Sequence, residues 1–149
     1  MTTLPPQTSS PNPLRGARLS FVGVGVMAEA IIAGLLRRQL VTRGQIVGSH
    51  PRPARREELQ THYGIRMVEA NRDAATRDAS RSDAATHDAP RTDATPTEDD
   101  GPSIVVLAVK PQRIGRVLQE LRGALVEGDL VLSVVAGARM EMKIGRAHV

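Results

Sequence analysis

A chain of 149 residues suits one domain, and with 40% apolar but only 1% aromatic residues its core has to be aliphatic. The absence of cysteine excludes disulfides and thiolate metal centres, and the four histidines at 50, 62, 87 and 148 show no ligand spacing, so no metal site is expected. The formal charge of +4 invites a nucleic-acid reading, but there is no long Lys/Arg run and no aromatic platform for bases; the basicity reads as solvated surface, with no nucleic-acid partner expected.

Residues 1–15 carry prolines at 5, 6, 11 and 13 and read as a disordered leader without a secretory apolar segment. With no run of 18 apolar residues, no membrane span is expected, and the location reads as cytoplasmic. "RLSFVG", Arg18 to Gly23, is a short apolar run ending in glycine, a buried-strand signal. From Val26 to Leu40 the period changes: Met27, Ile31, Leu35 and Ala28, Ile32, Leu36 repeat at i, i+4, giving a helix with a wide apolar face. "QIVGS", Gln45 to Ser49, is a second strand. Pro53 opens a helix that Gly64 closes, and Ile65 to Val68 form a third strand.

Asn71 to Thr95 breaks the pattern. Aspartate falls at 73, 78, 83, 88 and 93, each followed by alanine, and no five-residue unit carries Leu, Ile, Val, Phe or Met. With only alanine to bury, an insertion over about 72–102 is expected to stay disordered, a surface loop whose length costs little entropy. "SIVVLAV", Ser103 to Val109, is a strand covered on both faces. Ile114, Val117, Leu118, Leu121 and Leu125 mark an amphipathic helix, and "DLVLSVV", Asp129 to Val135, is one more buried strand. This alternation predicts a Rossmann-type α/β fold over 16–140, a parallel sheet with helices on both faces. Residues 141–149 read as a non-native tail, because "IGRAHV" matches the translation of a common sequencing adapter.

Chemistry concentrates after the strands. Gly23-x-Gly25-x-x-Ala28 follows a strand and opens a helix. It is either a dinucleotide fingerprint or a tight structural turn, and the context favours the former. In a fingerprint Gly23 permits the turn, Gly25 admits the pyrophosphate to the backbone and Ala28 lets the helix approach the strand. No acid lies between Glu29 and Glu57, so the carboxylate that an NAD site places on the ribose is missing. The second strand instead ends in Ser49, His50 and Arg52, with Arg55 and Arg56 behind, which favours NADP(H) over NAD(H). Arg55 and Arg56 are also readable as a solvated helix face. Ala108, Val109, Lys110 and Pro111 end a strand where α/β ligands bind, and Lys110 is either a cation facing the cofactor or a surface lysine. Gly137 sits on the same rim, in a turn that is either cofactor-facing or plainly strand-ending.

Together "FVGVGVMAEAIIAGLL", "IVGSHP", "YGIRMVEAN", "IVVLAVKPQ" and "LSVVAGA" resemble the N-terminal half of the pyrroline-5-carboxylate reductase family, over Leu19 to Ala138 apart from the repeat. The resemblance implies NAD(P)H-dependent reduction of a small imine, 1-pyrroline-5-carboxylate, to proline. It implies Gly23, Val24, Gly25, Val26 and Met27 at the pyrophosphate, Ser49, His50 and Arg52 at the adenosine ribose or its phosphate, and Asn71 at the cofactor. Ala108 to Pro111 and Val135, Ala136 and Gly137 would line the cleft. Val26 departs from the family's usual Asn or Gln, and the repeat starts where the family has a short helix. No counterpart of the family's all-helical second half, which forms the homo-oligomer and most of the substrate pocket, is recognisable. The catalytic residue is therefore unassigned, and this stretch alone is expected to be inactive. Other NADP-dependent reductases, of the coenzyme-F420-linked or β-hydroxyacid type, are the alternative reading, followed by a basic nucleic-acid-binding or scaffold protein.

Overall fold

The structure, a computed structural model, describes residues 11–77 and 101–136. Five strands, β1 (Arg18–Val22), β2 (Ile46–Ser49), β3 (Arg66–Val68), β4 (Ser103–Leu107) and β5 (Leu130–Ser133), form one sheet in the order β3-β2-β1-β4-β5. Every pairing is parallel. Helices α1 (Val26–Arg37), α2 (Pro53–Tyr63), α3 (Asn71–Ala75) and α4 (Ile114–Glu120) fill the crossovers. The order reverses between β1 and β4, so the ends of β1 and β4 diverge into a crevice at the carboxyl rim. The predicted Rossmann-type fold is what these residues adopt.

The two-residue period of the strands builds two cores. Leu19 and Phe21 of β1 and Val106 of β4 join Ala28 and Ile32 of α1 and Leu59 of α2 on one face. Val22, Val105 and Leu107 join Ala75, Ile114 and Val117 on the other, under α3 and α4. Because successive strand residues point to opposite faces, an apolar run with no polar interruption needs helices on both sides. Gly48, inside β2, is required by packing: a Cβ there would lie 2.6 Å from Val24 Cγ2 and 2.8 Å from Met67 Sδ. Gly64, at φ +65°, ends α2 in the left-handed conformation, as its position predicted.

Four expectations need correction. The leader ends earlier than residue 15: Asn12 Nδ2 donates to Leu40 O at 2.6 Å, the Leu14 N–H donates to Asn12 Oδ1 at 3.0 Å, and Leu14 packs on the first core. The insertion is narrower than 72–102. Residues 71–75 are helical, and Ala74 and Ala75 are fully buried. Alanine suffices because this short helix lies close to the sheet, and the Arg18 guanidinium reaches from β1 to its last carbonyls, those of Ala74, Ala75 and Thr76. At the other flank Pro102 O accepts the Arg18 N–H at 2.9 Å. Residues 78–100, 1–10 and 137–149 lie outside the described residues, and with them most of the repeat and the suspected tail. The fourth helix is shorter than expected, giving way after Glu120 to turns that pass through Gly123 at φ +73°. Finally, β5 is not a buried strand. Leu130, Val131 and Leu132 are 59%, 43% and 50% exposed, because β5 is the sheet edge among the described residues and pairs only with β4.

Candidate functional site

Parallel strands put every carboxyl end on one rim, so residues far apart in the chain meet there. Gly23, Val24 and Gly25 leave β1; Ser49 ends β2; Asn71 follows β3; Ala108 to Pro111 follow β4. Val135 and Ala136 follow β5, and Gly137 lies outside the described residues.

The two glycines of the turn differ in kind. Gly23 stands at φ +83°, and a Cβ on it would lie 2.5 Å from Val109 Cγ1. The protein itself demands glycine there. Gly25 has φ −92°, a conformation open to any residue, and a Cβ on it would meet nothing within 4 Å. Neither backbone nor packing requires glycine at 25, and the space beside it faces outward. The first hydrogen bond of α1 runs from the Glu29 N–H to Gly25 O at 2.9 Å. The N–H groups of Val26, Met27 and Ala28 therefore have no carbonyl one turn back inside the helix. Among the described residues no side chain caps this end of α1. Three backbone donors and the positive end of a 12-residue helix thus face a space kept clear by a missing side chain, the arrangement that receives a phosphate.

Ser49 supports the turn from β2. Its carbonyl accepts the Val24 N–H at 2.8 Å, and its Oγ accepts the Gly23 N–H at 3.0 Å. Its hydroxyl donates to Asn71 Oδ1 at 2.7 Å, and Asn71 Nδ2 donates to Glu120 Oε2 at 2.7 Å. Both ends of the Asn71 amide are occupied by protein. Glu120 went unrecognised in the sequence, and no local signal marks it: it joins Asn71 across 49 positions.

The arginines after β2 separate by partner. Arg55 pairs with Glu29 on α1 and, at 2.7 Å, with Glu58; the Tyr63 hydroxyl donates to Glu29 at 3.0 Å. This cluster ties α2 to α1. Arg56 donates to His50 O at 2.9 Å and Pro51 O at 3.0 Å and pairs with Glu69 at 3.3 Å. Arg52 is exposed and has no ion pair among the described residues. Of the three, Arg52 alone is left for an anion. Burial and then the neighbouring Arg52, Arg55 and Arg56 guanidiniums hold the His50 imidazole below its ordinary pKa, and its Nδ1 accepts the Arg52 N–H at 3.2 Å.

The remaining candidates divide. Lys110 and Pro111 are exposed on the rim. Val109 is the residue against which Gly23 is packed, and Ala108 leans on the first core while its N–H donates to Val22 O at 3.0 Å. Val135 is buried in the second core, so its side chain is taken up by packing, while Ala136 is exposed. A depression of about 730 Å³ opens beside Arg43, His62 and Tyr63 at the other end of the strands. The carboxyl ends of α1 and α2 lie there, and their dipoles disfavour an anion. Among the described residues no His/Cys/Asp/Glu cluster could hold a metal ion, and no helix is long and apolar enough to cross a membrane.

The chain is 33% identical over 132 residues to pyrroline-5-carboxylate reductase of Pseudomonas aeruginosa, covering 87% of this chain and 39% of that protein. It is 32% identical over 124 residues to that of Synechocystis, covering 83% and 37%. The chain thus spans well under half the length of these relatives. Among solved structures it is similar in fold to a Coxiella burnetii pyrroline-5-carboxylate reductase (TM-score 0.67, 23% identity, 88% of this chain and 40% of that one). It is also similar to the Plasmodium falciparum pyrroline carboxylate reductase with NADP bound (TM-score 0.59, 18% identity, 87% and 37%). The sequence model of one family covers residues 18–137, from the first residue of β1 past the end of β5, and the chain belongs to that family, described as NADP oxidoreductase, coenzyme F420-dependent.

Proposed function

We propose that this chain is the NADP(H)-holding part of a pyrroline-5-carboxylate reductase. The observation that carries the reading is the vacant side-chain position at Gly25, over the unpaired N–H groups that open α1. When bound, NADPH supplies the hydride that reduces the imine carbon of 1-pyrroline-5-carboxylate and yields L-proline. The residues present fit that group. Gly25 leaves room for a pyrophosphate, and the N–H groups of Val26, Met27 and Ala28 receive it. Gly23, held between Ser49 and Val109, fixes the turn's path. Arg52, with His50 beside it, would hold a 2′-phosphate, and Ser49 keeps the end of β2 against the glycine turn. Lys110 adds a cation at the crevice between β1 and β4. The sequence relatives, named pyrroline-5-carboxylate reductase, supply the substrate class. In this reading the catalytic residue and the homo-oligomer contact come from a second half, no nucleic acid takes part, and the location is cytoplasmic.

NADPH fluorescence titration of the purified chain tests the cofactor reading. Binding tighter than that of NADH, with the preference lost in Arg52→Ala, is expected; equal affinities would overturn the 2′-phosphate assignment. The chain alone should form no proline, and robust turnover would show that its own residues complete the reaction. Salt-sensitive DNA binding that survives replacement of residues 78–100 would favour a nucleic-acid role instead. The family's description favours one other reading, hydride exchange between NADP and coenzyme F420. Assaying the longer protein with each acceptor separates the two.

A further inference from the structure

We infer that Arg55 tunes the affinity of the phosphate site as a positioning residue: by pairing with Glu29 it cancels the one carboxylate that α1 carries close to its phosphate-receiving end. The inference rests on the NADP(H) reading and names a further residue that serves the same site.

The positive end of a helix dipole draws any nearby anion, so a carboxylate in the first turn competes with a phosphate for the same field. Glu29 is the only acid of α1 and the first residue whose N–H is bonded inside the helix, to Gly25 O. With a rise of about 1.5 Å per residue, its carboxylate lies within about one Debye length of a phosphate on the Val26, Met27 and Ala28 N–H groups. Water screens it incompletely, because the Glu29 and Arg55 side chains are only 27% and 21% exposed. Uncompensated, it would repel the cofactor. Arg55 comes from the first turn of α2 and places Nη2 on Glu29 Oε2, while the Tyr63 hydroxyl donates to Oε1 at 3.0 Å. Tyr63 stays neutral, since burial and then Glu29 itself raise its pKa, so among the described residues Arg55 supplies the only ion pair to Glu29. Arg55 Nη1 is held in turn by Glu58 at 2.7 Å, which fixes the guanidinium from its other side. The pyrophosphate is common to NADPH and NADH, so this compensation acts on both cofactors alike, whereas a 2′-phosphate contact acts on NADPH alone.

Fluorescence titration of the full chain with NADPH and with NADH reads the effect. Arg55→Ala should weaken both about three- to tenfold at unchanged ratio, and adding Glu29→Gln to it should bring both back to within about twofold of wild type. Salt gives a second readout: in about 1 M NaCl, where the Debye length is about 3 Å, the gap between Arg55→Ala and wild type should close. A merely structural role predicts the opposite, because Glu29→Gln then removes a second tie between α1 and α2 and deepens the loss, and salt does not restore packing. Should Arg55→Ala unfold the chain, Glu29→Gln alone decides: both cofactors should bind at least as tightly as to wild type, and weaker binding overturns the inference. A loss in Arg55→Ala confined to NADPH, or one that Glu29→Gln fails to reverse, overturns it as well. A wild-type chain that binds neither cofactor overturns the cofactor reading and this inference with it; wild-type binding with the wrong pattern among the variants overturns the inference alone.

Discussion

Replacing Gly23 and Gly25 in turn by alanine should separate a glycine that the fold requires from one that a ligand requires. At Gly23 an L-residue is forced to φ +83°, which costs about 1–2 kcal/mol. The new Cβ would also sit 2.5 Å from Val109 Cγ1, roughly an ångström inside ordinary contact, and displacing that packed side chain adds about 1–3 kcal/mol. The sum, about 2–5 kcal/mol, corresponds to a melting temperature lower by about 10 °C or more for a domain of this size. At Gly25 the backbone, φ −92°, suits alanine, and the Cβ meets nothing within 4 Å. Losing a glycine at a helix N-cap costs about 0.5–1 kcal/mol, and the less flexible unfolded chain returns about 0.4–1 kcal/mol. The net change is near zero. The methyl group would nevertheless occupy the phosphate space, and a clash of about 1.4 kcal/mol or more means at least a tenfold loss of NADPH affinity. Thermal unfolding by circular dichroism and NADPH titration on the same preparations give both numbers. Equal loss of stability at the two positions, or an unchanged affinity in Gly25→Ala, would refute the distinction and with it the main support for the phosphate site.

The arginines give a second contrast: Arg55→Ala should lower stability by about 1 kcal/mol through its partly buried pair with Glu29 and leave the NADPH/NADH ratio alone, whereas Arg52→Ala should do the reverse. The chain has one tyrosine, so its tyrosinate absorbance reports Tyr63 alone. Burial first, and then the hydrogen bond to Glu29, raise this phenol above its ordinary value of 10.0, so the folded chain should titrate later than the urea-unfolded one. Since the folded state keeps the proton longer, this stabilisation is complete below pH 10.0 and is lost as pH rises through the higher folded value. Tyr63→Phe should flatten that alkaline loss. Replacing residues 78–100 with a short Gly/Ser linker should leave the melting temperature within a few degrees. Both flanks are anchored without them, Arg77 to Asp129 at 3.0 Å and Pro102 to Arg18 at 2.9 Å, and loop length carries little entropy. A fall of 10 °C would show that the repeat is part of the packed body.

Local signals were strong wherever the chemistry is local. The i, i+4 pattern of Met27 to Leu36, the apolar runs at β1 and β4, Pro53 and Gly64 around α2, and Gly23-x-Gly25 each act within a few residues of themselves. Their alternation leaves few topologies other than a right-handed, doubly wound parallel sheet. The acid-free end of β2 was readable in the same way, because a missing carboxylate needs no partner to be noticed. The tertiary structure decided what depends on distant partners. It showed that Ala74 and Ala75 find a burial site because Arg18 arrives from β1, and that Leu130 to Leu132 stay exposed at an edge. It showed that Arg55 and Arg56 are already paired, that Arg52 has no ion pair among the described residues, and that Asn71 is held between Ser49 and Glu120. Periodicity reports which face of an element is apolar, but a hydrogen bond spanning 49 positions leaves no periodic trace. It exists only once the sheet has brought its carboxyl ends to one rim.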